Sequence, residues 1–162
     1  MNMVSAVFDC NVFVQSLLNP KGLAAQCMEL ARDRRVTLFI SRETIDEFRD
    51  VIFRPNIFSK LPDLNTSQIE AFINEILNIS NLVRPVAKSF RLERDPKDEK
   101  YIDLAVATSS NYLISWDNDL LDLMTAHSDE AKEFRQKFRH LKVVEPIEFL
   151  RIIREMDLAL KP

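Results

Sequence analysis

Residues 95–121 read DPKDEKYIDLAVATSSNYLISWDNDLL. Two segments meet here. Residues 97–109 carry apolar side chains at helical spacing, and residues 112–115 (YLIS) form a short apolar strand that stops just before Asp117. A helix followed at once by a buried strand is half of a βαβ crossover. Working outward, the alternation recurs along the chain. VSAVF at 4–8 reads as a buried first strand ending at Asp9, followed by a helix over 11–18 and another over 23–34. VTLFI at 36–40 reads as a second strand, and Ser41 is a suitable N-cap for a helix running through Thr44, Glu47 and Val51 towards Arg54. Residues 55–62 are expected to be a loop. Ser67 and Glu70 suggest a capping box heading a helix over 68–79. LVRPV at 82–86 is a candidate strand, confined to an edge by Pro85. Helices over 120–126 and 129–138, a last strand over 141–144 (LKVV) and a closing helix over 147–156 complete the chain. The expectation is one α/β domain spanning 1–162, with a mainly parallel sheet.

Composition narrows the function classes. Hydrophobic residues make up 46% and charged residues 29%, which excludes a disordered chain and provides for an ordinary core. Gly22 is the only glycine, so Gly-rich phosphate cradles of the dinucleotide or P-loop kind are excluded. Cys10 and Cys27 sit in apolar surroundings with no histidines at ligand spacing, and read as small buried hydrophobes in a reducing compartment. MNMVSAVFDCNVFVQSLL at 1–18 lacks a basic leader and is interrupted by Asp9 and Asn11. It reads as neither signal peptide nor membrane span, and the expected location is cytoplasmic. The net charge of −3 neither favours nor excludes a nucleic-acid partner, because a nuclease carries carboxylates that count against it until metal ions neutralise them.

The acids carry the chemistry. Asp9 follows the first strand directly, and Asp117 follows the strand at 112–115 after one residue. In open parallel sheets the carboxyl ends of the strands share one edge, where ligands bind. Glu47 lies on the helix after the second strand, and Asp98 opens the helix before Asp117, so four carboxylates can converge on one rim. Such a cluster resists ionising unless a cation neutralises it, and a hard divalent ion with oxygen preference is the natural partner. Each acid also has a plainer reading. Asp9, Asp117 and Asp119 suit helix N-caps, Asp98 and Asp95 suit a helix N-terminus electrostatically, and Glu47 suits a solvated helix face, with Glu43, Asp46 and Asp50 as neighbours of equal claim. His127 and His140 lie in polar sequence with no nucleophile nearby, so no Ser-His-Asp arrangement competes.

The run KEFRQKFRHLK at 132–142 sets Lys132, Arg135, Lys137, Arg139 and Lys142 close together, with Phe134 and Phe138 at helical spacing. This is either a surface helix with two core phenylalanines or a basic rim for phosphates. Arg49 and Arg54 are weaker candidates for the same task. The 11 phenylalanines are expected mainly in the core, not as stacking platforms.

Four segments, VFDCNVFVQSLL (7–18), SRETIDEFRDVIFRP (41–55), DPKDEKYIDLAVATSSNYLISWDNDLL (95–121) and VVEPIEFL (143–150), together resemble the PIN domain in order and spacing, and most closely its toxin components of bacterial toxin–antitoxin systems. The resemblance covers almost the entire chain. It implies a three-layer α/β/α fold with a four- or five-stranded, mainly parallel sheet. By position, it implies Asp9, Asp98 and Asp117 as ligands of Mg²⁺ or Mn²⁺, Glu47 as a fourth catalytic acid, and Asn11, Ser115 and Asp119 as supporting polar groups. Asp103, further along the same helix, is the alternative to Asp98, which the spacing to Ala105 favours. The implied activity is cleavage of single-stranded RNA, with a homodimer and a cognate antitoxin as implied partners. The alternatives are an RNA-maturation nuclease outside a toxin system and a non-catalytic RNA- or protein-binding module. A phosphatase with an aspartate nucleophile fits poorly, since Asn11 stands where a second aspartate is wanted.

Overall fold

Strand β1, Val4–Phe8, lies at the middle of the sheet, with its last three residues fully enclosed. Its neighbours are β2 (Val36–Ser41) on one side and β4 (Tyr112–Ile114) on the other; β3 (Ser80–Val83) and β5 (Lys142–Val144) form the edges. All four pairings in the order β3-β2-β1-β4-β5 are parallel. A sheet covered on both faces needs apolar residues at successive positions, which is why VSAVF and VTLFI do not alternate. The computed structural model describes residues 3–161, and its architecture is the three-layer α/β/α arrangement expected from the sequence.

The connections between strands are helical. Helices α1 (Cys10–Leu18) and α2 (Leu23–Arg32) link β1 to β2; α3 (Arg42–Ile52), α4 (Pro55–Phe58) and α5 (Thr66–Ile79) link β2 to β3. A 3-10 turn at Pro96–Asp98 leads into α6 (Glu99–Ala107), which packs on β1, β2 and β4. Beyond β4 come α7 (Asn118–Leu121), a 3-10 turn at Asp122–Met124 and α8 (Asp129–Lys137); α9 (Pro146–Ala159) closes against α2. Phenylalanines hold the layers together. Phe8 meets Phe13 and Phe149, Phe13 meets Phe48, and Phe48 meets Phe72, at centroid distances of 5.8–6.2 Å. No helix among the described residues is long and apolar enough to cross a membrane.

Several element boundaries depart from expectation. The expected loop at 55–62 begins with α4, because Pro55 at its first position lacks only an N–H that would go unused and already has a helical φ. The capping box of α5 is Asn65 with Gln68, not Ser67 with Glu70: Asn65 Oδ1 accepts from the Gln68 N–H (2.8 Å) and Gln68 Oε1 from the Asn65 N–H (2.9 Å). β3 begins two residues earlier than expected and ends three earlier, before Pro85, which has no N–H to offer a ladder. The helix expected over 120–126 is split into α7 and the following 3-10 turn.

Candidate functional site

Asp9 and Asp117 leave adjacent parallel strands at the same edge of the sheet, and Ser115 joins them. The Ser115 hydroxyl donates to Asp9 Oδ2 (2.7 Å) and accepts from the Asp117 N–H (2.9 Å). Ser115 itself is fixed by β5, its N–H donating to the Val144 carbonyl at 3.0 Å. Both aspartates also cap the helices they precede: Asp9 Oδ1 accepts weakly from the Asn11 N–H (3.4 Å), and Asp117 Oδ1 accepts from the Asp119 N–H (2.8 Å). Capping and convergence are thus compatible: the Asp9 cap uses Oδ1 while Oδ2 accepts from Ser115, and the Asp117 cap uses Oδ1.

Asp98 behaves differently. It holds the N-cap position of α6 yet caps nothing, and its Oδ2 is buried with no hydrogen-bond partner. The residue is 7% exposed. Burial pushes its carboxyl up to about 9, helped by the hydrogen-bonding Asp117 carboxyl and by the charges of Asp9, Asp117 and Asp95. Burial also raises Asp9, more than the bonds from Ser115 and Asn11 lower it. A buried, unpartnered carboxylate oxygen among like charges is costly unless a cation completes the site. Its donors are hard oxygens, which suit a divalent cation with a preference for oxygen ligands.

Glu47 projects from α3 towards Asp9 and Cys10, and one ligand atom from each of these three lies within 4.8 Å of the others. Its carboxylate is occupied on both oxygens. The Tyr101 hydroxyl donates to Oε1 while accepting from the Cys10 N–H (3.2 Å), and Lys100 Nζ lies 2.5 Å from Oε2. Burial works to raise the Glu47 carboxyl, but bonds from Lys100, Tyr101 and Cys10 outweigh it and hold the group below its ordinary range. A second acidic grouping joins Asp117 to Asp95 and Asp119, where Arg94 bridges Asp119 and Asp122 at 2.8 Å each.

The acids therefore gather as two close groups, Asp9 with Cys10 and Glu47 and Asp117 with Asp95 and Asp119, and Asp98 lies near enough to Asp9, Asp117 and Asp95 to feel the charge of all three. Asn11 is exposed, lining a shallow pocket with Gln15 and Trp116. Asp103 points elsewhere: its Oδ1 accepts from the Ser89 N–H (2.9 Å), the Ser89 hydroxyl (3.0 Å) and the Phe90 N–H (3.4 Å). Cys10 and Cys27 are buried free thiols, Cys27 pushed up to about 12 by burial. The basic candidates divide. Arg49 and Arg54 pair at the surface with Glu70 and Asp50, and Arg135 donates to the carbonyls of Leu123 and Ala126 at 2.8 Å. Lys132, Lys137 and Arg139 are exposed on or just beyond α8, whose Phe134 and Phe138 are buried against Phe90. Tyr101 and Lys100 escaped the sequence reading; their signal was the step of two or three residues from Asp98 along a helix.

Comparison with known proteins identifies the family. Over 147 residues the chain is 27% identical to an uncharacterized protein of Methanocaldococcus jannaschii, covering 91% of this chain and 90% of that one. The family model described as PIN domain matches residues 5–119, from β1 to the acids after β4. Members of that family are generally nucleases, and with the match spanning well over half its length, the chain belongs to the PIN domain family.

Proposed function

We propose that this protein is a Mg²⁺- or Mn²⁺-dependent endoribonuclease acting on single-stranded RNA. The observation that carries the reading is Asp98 Oδ2, buried without a donor and surrounded by the carboxylates of Asp9, Asp117 and Asp95. Asp9, Asp98 and Asp117 would hold the ion. When bound, it supplies the Lewis acidity that activates water and phosphodiester for hydrolysis. The chain's own groups do the positioning. Ser115 orients Asp9 and fixes the backbone of Asp117, while Tyr101 and Lys100 keep Glu47 ionised and aimed at the Asp9 side. Asn11 and Asp119 line the two flanks.

Half-buried Trp116, beside Asn11 and Gln15, offers a face on which an unpaired base can stack, which supports a single-stranded substrate. Exposed Lys132 and Arg139 are the first candidates for phosphate contacts, Lys137 donating to the Ser89 carbonyl at 3.3 Å; Arg49 and Arg54 can exchange their surface partners for phosphate at little cost. Arg135 holds the turn before α8. The resemblance of the four quoted segments to toxin components extends the proposal to the toxin half of a toxin–antitoxin pair, cytoplasmic and homodimeric, with a small companion reading frame beside its gene. The test is cleavage of end-labelled single-stranded RNA with Mn²⁺, with EDTA, and with Asp9→Asn. Cutting that requires the ion and disappears in the variant is expected; cutting that persists in Asp9→Asn refutes the site.

A further inference from the structure

Two acidic subsites lie side by side at this edge of the sheet, and the chain treats them differently. On the Glu47 side a cation is already present. Lys100 Nζ sits 2.5 Å from Glu47 Oε2 and 5.5 Å from the centroid of the Tyr101 ring, and both Lys100 and Glu47 side chains are only 23% exposed. With the Tyr101 hydroxyl on Oε1, Glu47 has no carboxylate oxygen without a donor. On the Asp98 side the reverse holds. Among the described residues no lysine or arginine pairs with Asp9, Asp98 or Asp117, and Asp98 Oδ2, in a residue nine-tenths buried, has no partner at all.

From this asymmetry we propose that Lys100 is a resident cation in the Glu47 subsite, so that the free protein takes a single divalent ion, on Asp9, Asp98 and Asp117. The inference rests on the reading of the cluster as a metal site and specifies how many ions it takes. Pairs of carboxylate-held ions about 3.5–4 Å apart are a common arrangement for phosphodiester cleavage. Here an ammonium group does part of the second ion's electrostatic task. It is placed by a helix and held also by the Lys97 carbonyl, to which it donates at 2.6 Å, and it needs no ion concentration to be filled. An ion entering beside Glu47 would have to displace Lys100 from this pair. Tyr101 strengthens the arrangement, because its hydroxyl ties Glu47 to the backbone directly after Asp9.

The experiment is Mn²⁺ binding to the full chain without RNA, followed by calorimetry and by the free-Mn²⁺ electron paramagnetic resonance signal. The wild type is expected to bind one ion, and Lys100→Met to bind two, as Glu47 is released. Glu47→Gln gives an independent reading should Lys100→Met fail to fold: it is expected to change the affinity of the single ion less than about threefold. Two ions of similar affinity in the wild type, one ion in a folded Lys100→Met, or a loss above tenfold in Glu47→Gln would each overturn the assignment of Lys100 while leaving the metal reading standing. No ion bound by a folded wild type would overturn the metal reading itself, and this inference with it.

Discussion

Ser115 is bonded in both directions, donating a hydrogen bond to Asp9 and accepting one from the Asp117 N–H. It is wholly buried, so water does not replace either bond when the hydroxyl is removed. Ser115→Ala is therefore expected to cost about 1–3 kcal/mol, the penalty for orphaned buried polar groups. Urea denaturation in EDTA measures it, and a loss below about 0.5 kcal/mol, the range of an ordinary surface change, would show that the link is dispensable. At this scale the sequence was informative where an acid follows a strand. Asp9 and Asp117 were visible because a strand's end fixes its position in space. Tyr101 and Lys100 were not, because a tyrosine and a lysine on an amphipathic helix look like core and surface until the neighbouring strand and Glu47 are placed beside them.

At the scale of elements, α6 serves two clients. Its N-terminal end presents Asp98 to the acidic rim, while Asp103 receives the backbone of Ser89 and Phe90 and so anchors the segment between β3 and the 3-10 turn. The Phe90 ring then packs on Phe134 and Phe138 of the α8 region. Asp103→Ala is expected to destabilise the protein by about 1–3 kcal/mol, to speed hydrogen exchange at Ser89 and Phe90, and to change Mn²⁺ affinity less than about threefold. Asp98→Ala is expected to abolish that affinity. If calorimetry finds the two variants reversed, the ligand is Asp103. Sequence spacing alone left these acids as rivals, since both lie near the start of one helix. What separates them is the chain returning from β3, a long-range contact that helical periodicity does not report. The departures at α4, at the α5 cap and at β3 have a different origin: proline and asparagine act through the backbone, and their local preferences outweighed the weaker apolar pattern.

For the molecule as a whole, the acidic rim couples stability to pH. The Asp98 carboxyl is raised from its ordinary 3.8 to about 9 by burial and by its acidic neighbours, and Asp9 is raised too. Between those values the folded state holds protons that the unfolded chain has released. The stability of the metal-free protein therefore falls as pH rises from about 4 towards 9. A divalent ion competes with those protons, so its stabilising effect grows over the same interval. Thermal midpoints in EDTA and in Mn²⁺ at about pH 5 and about pH 8 should diverge, the EDTA curve dropping with pH. A metal-free protein that grows more stable towards pH 8 would contradict the buried placement of Asp98. The α/β alternation and parallel sheet were legible from apolar runs separated by helices; that Asp98 lacks a donor was not, because it depends on every neighbour at once.

The Asp9–Ser115 bond joins residues 106 positions apart, and Ser115 is in turn held by Val144 of β5. A chain growing on the ribosome thus carries Asp9 and Glu47 long before it has the partners that gather them. Until β4 and β5 have emerged and docked, its acids are scattered on unfinished layers. The proposed site is in this way a late product of synthesis, complete only once most of the sheet is in place.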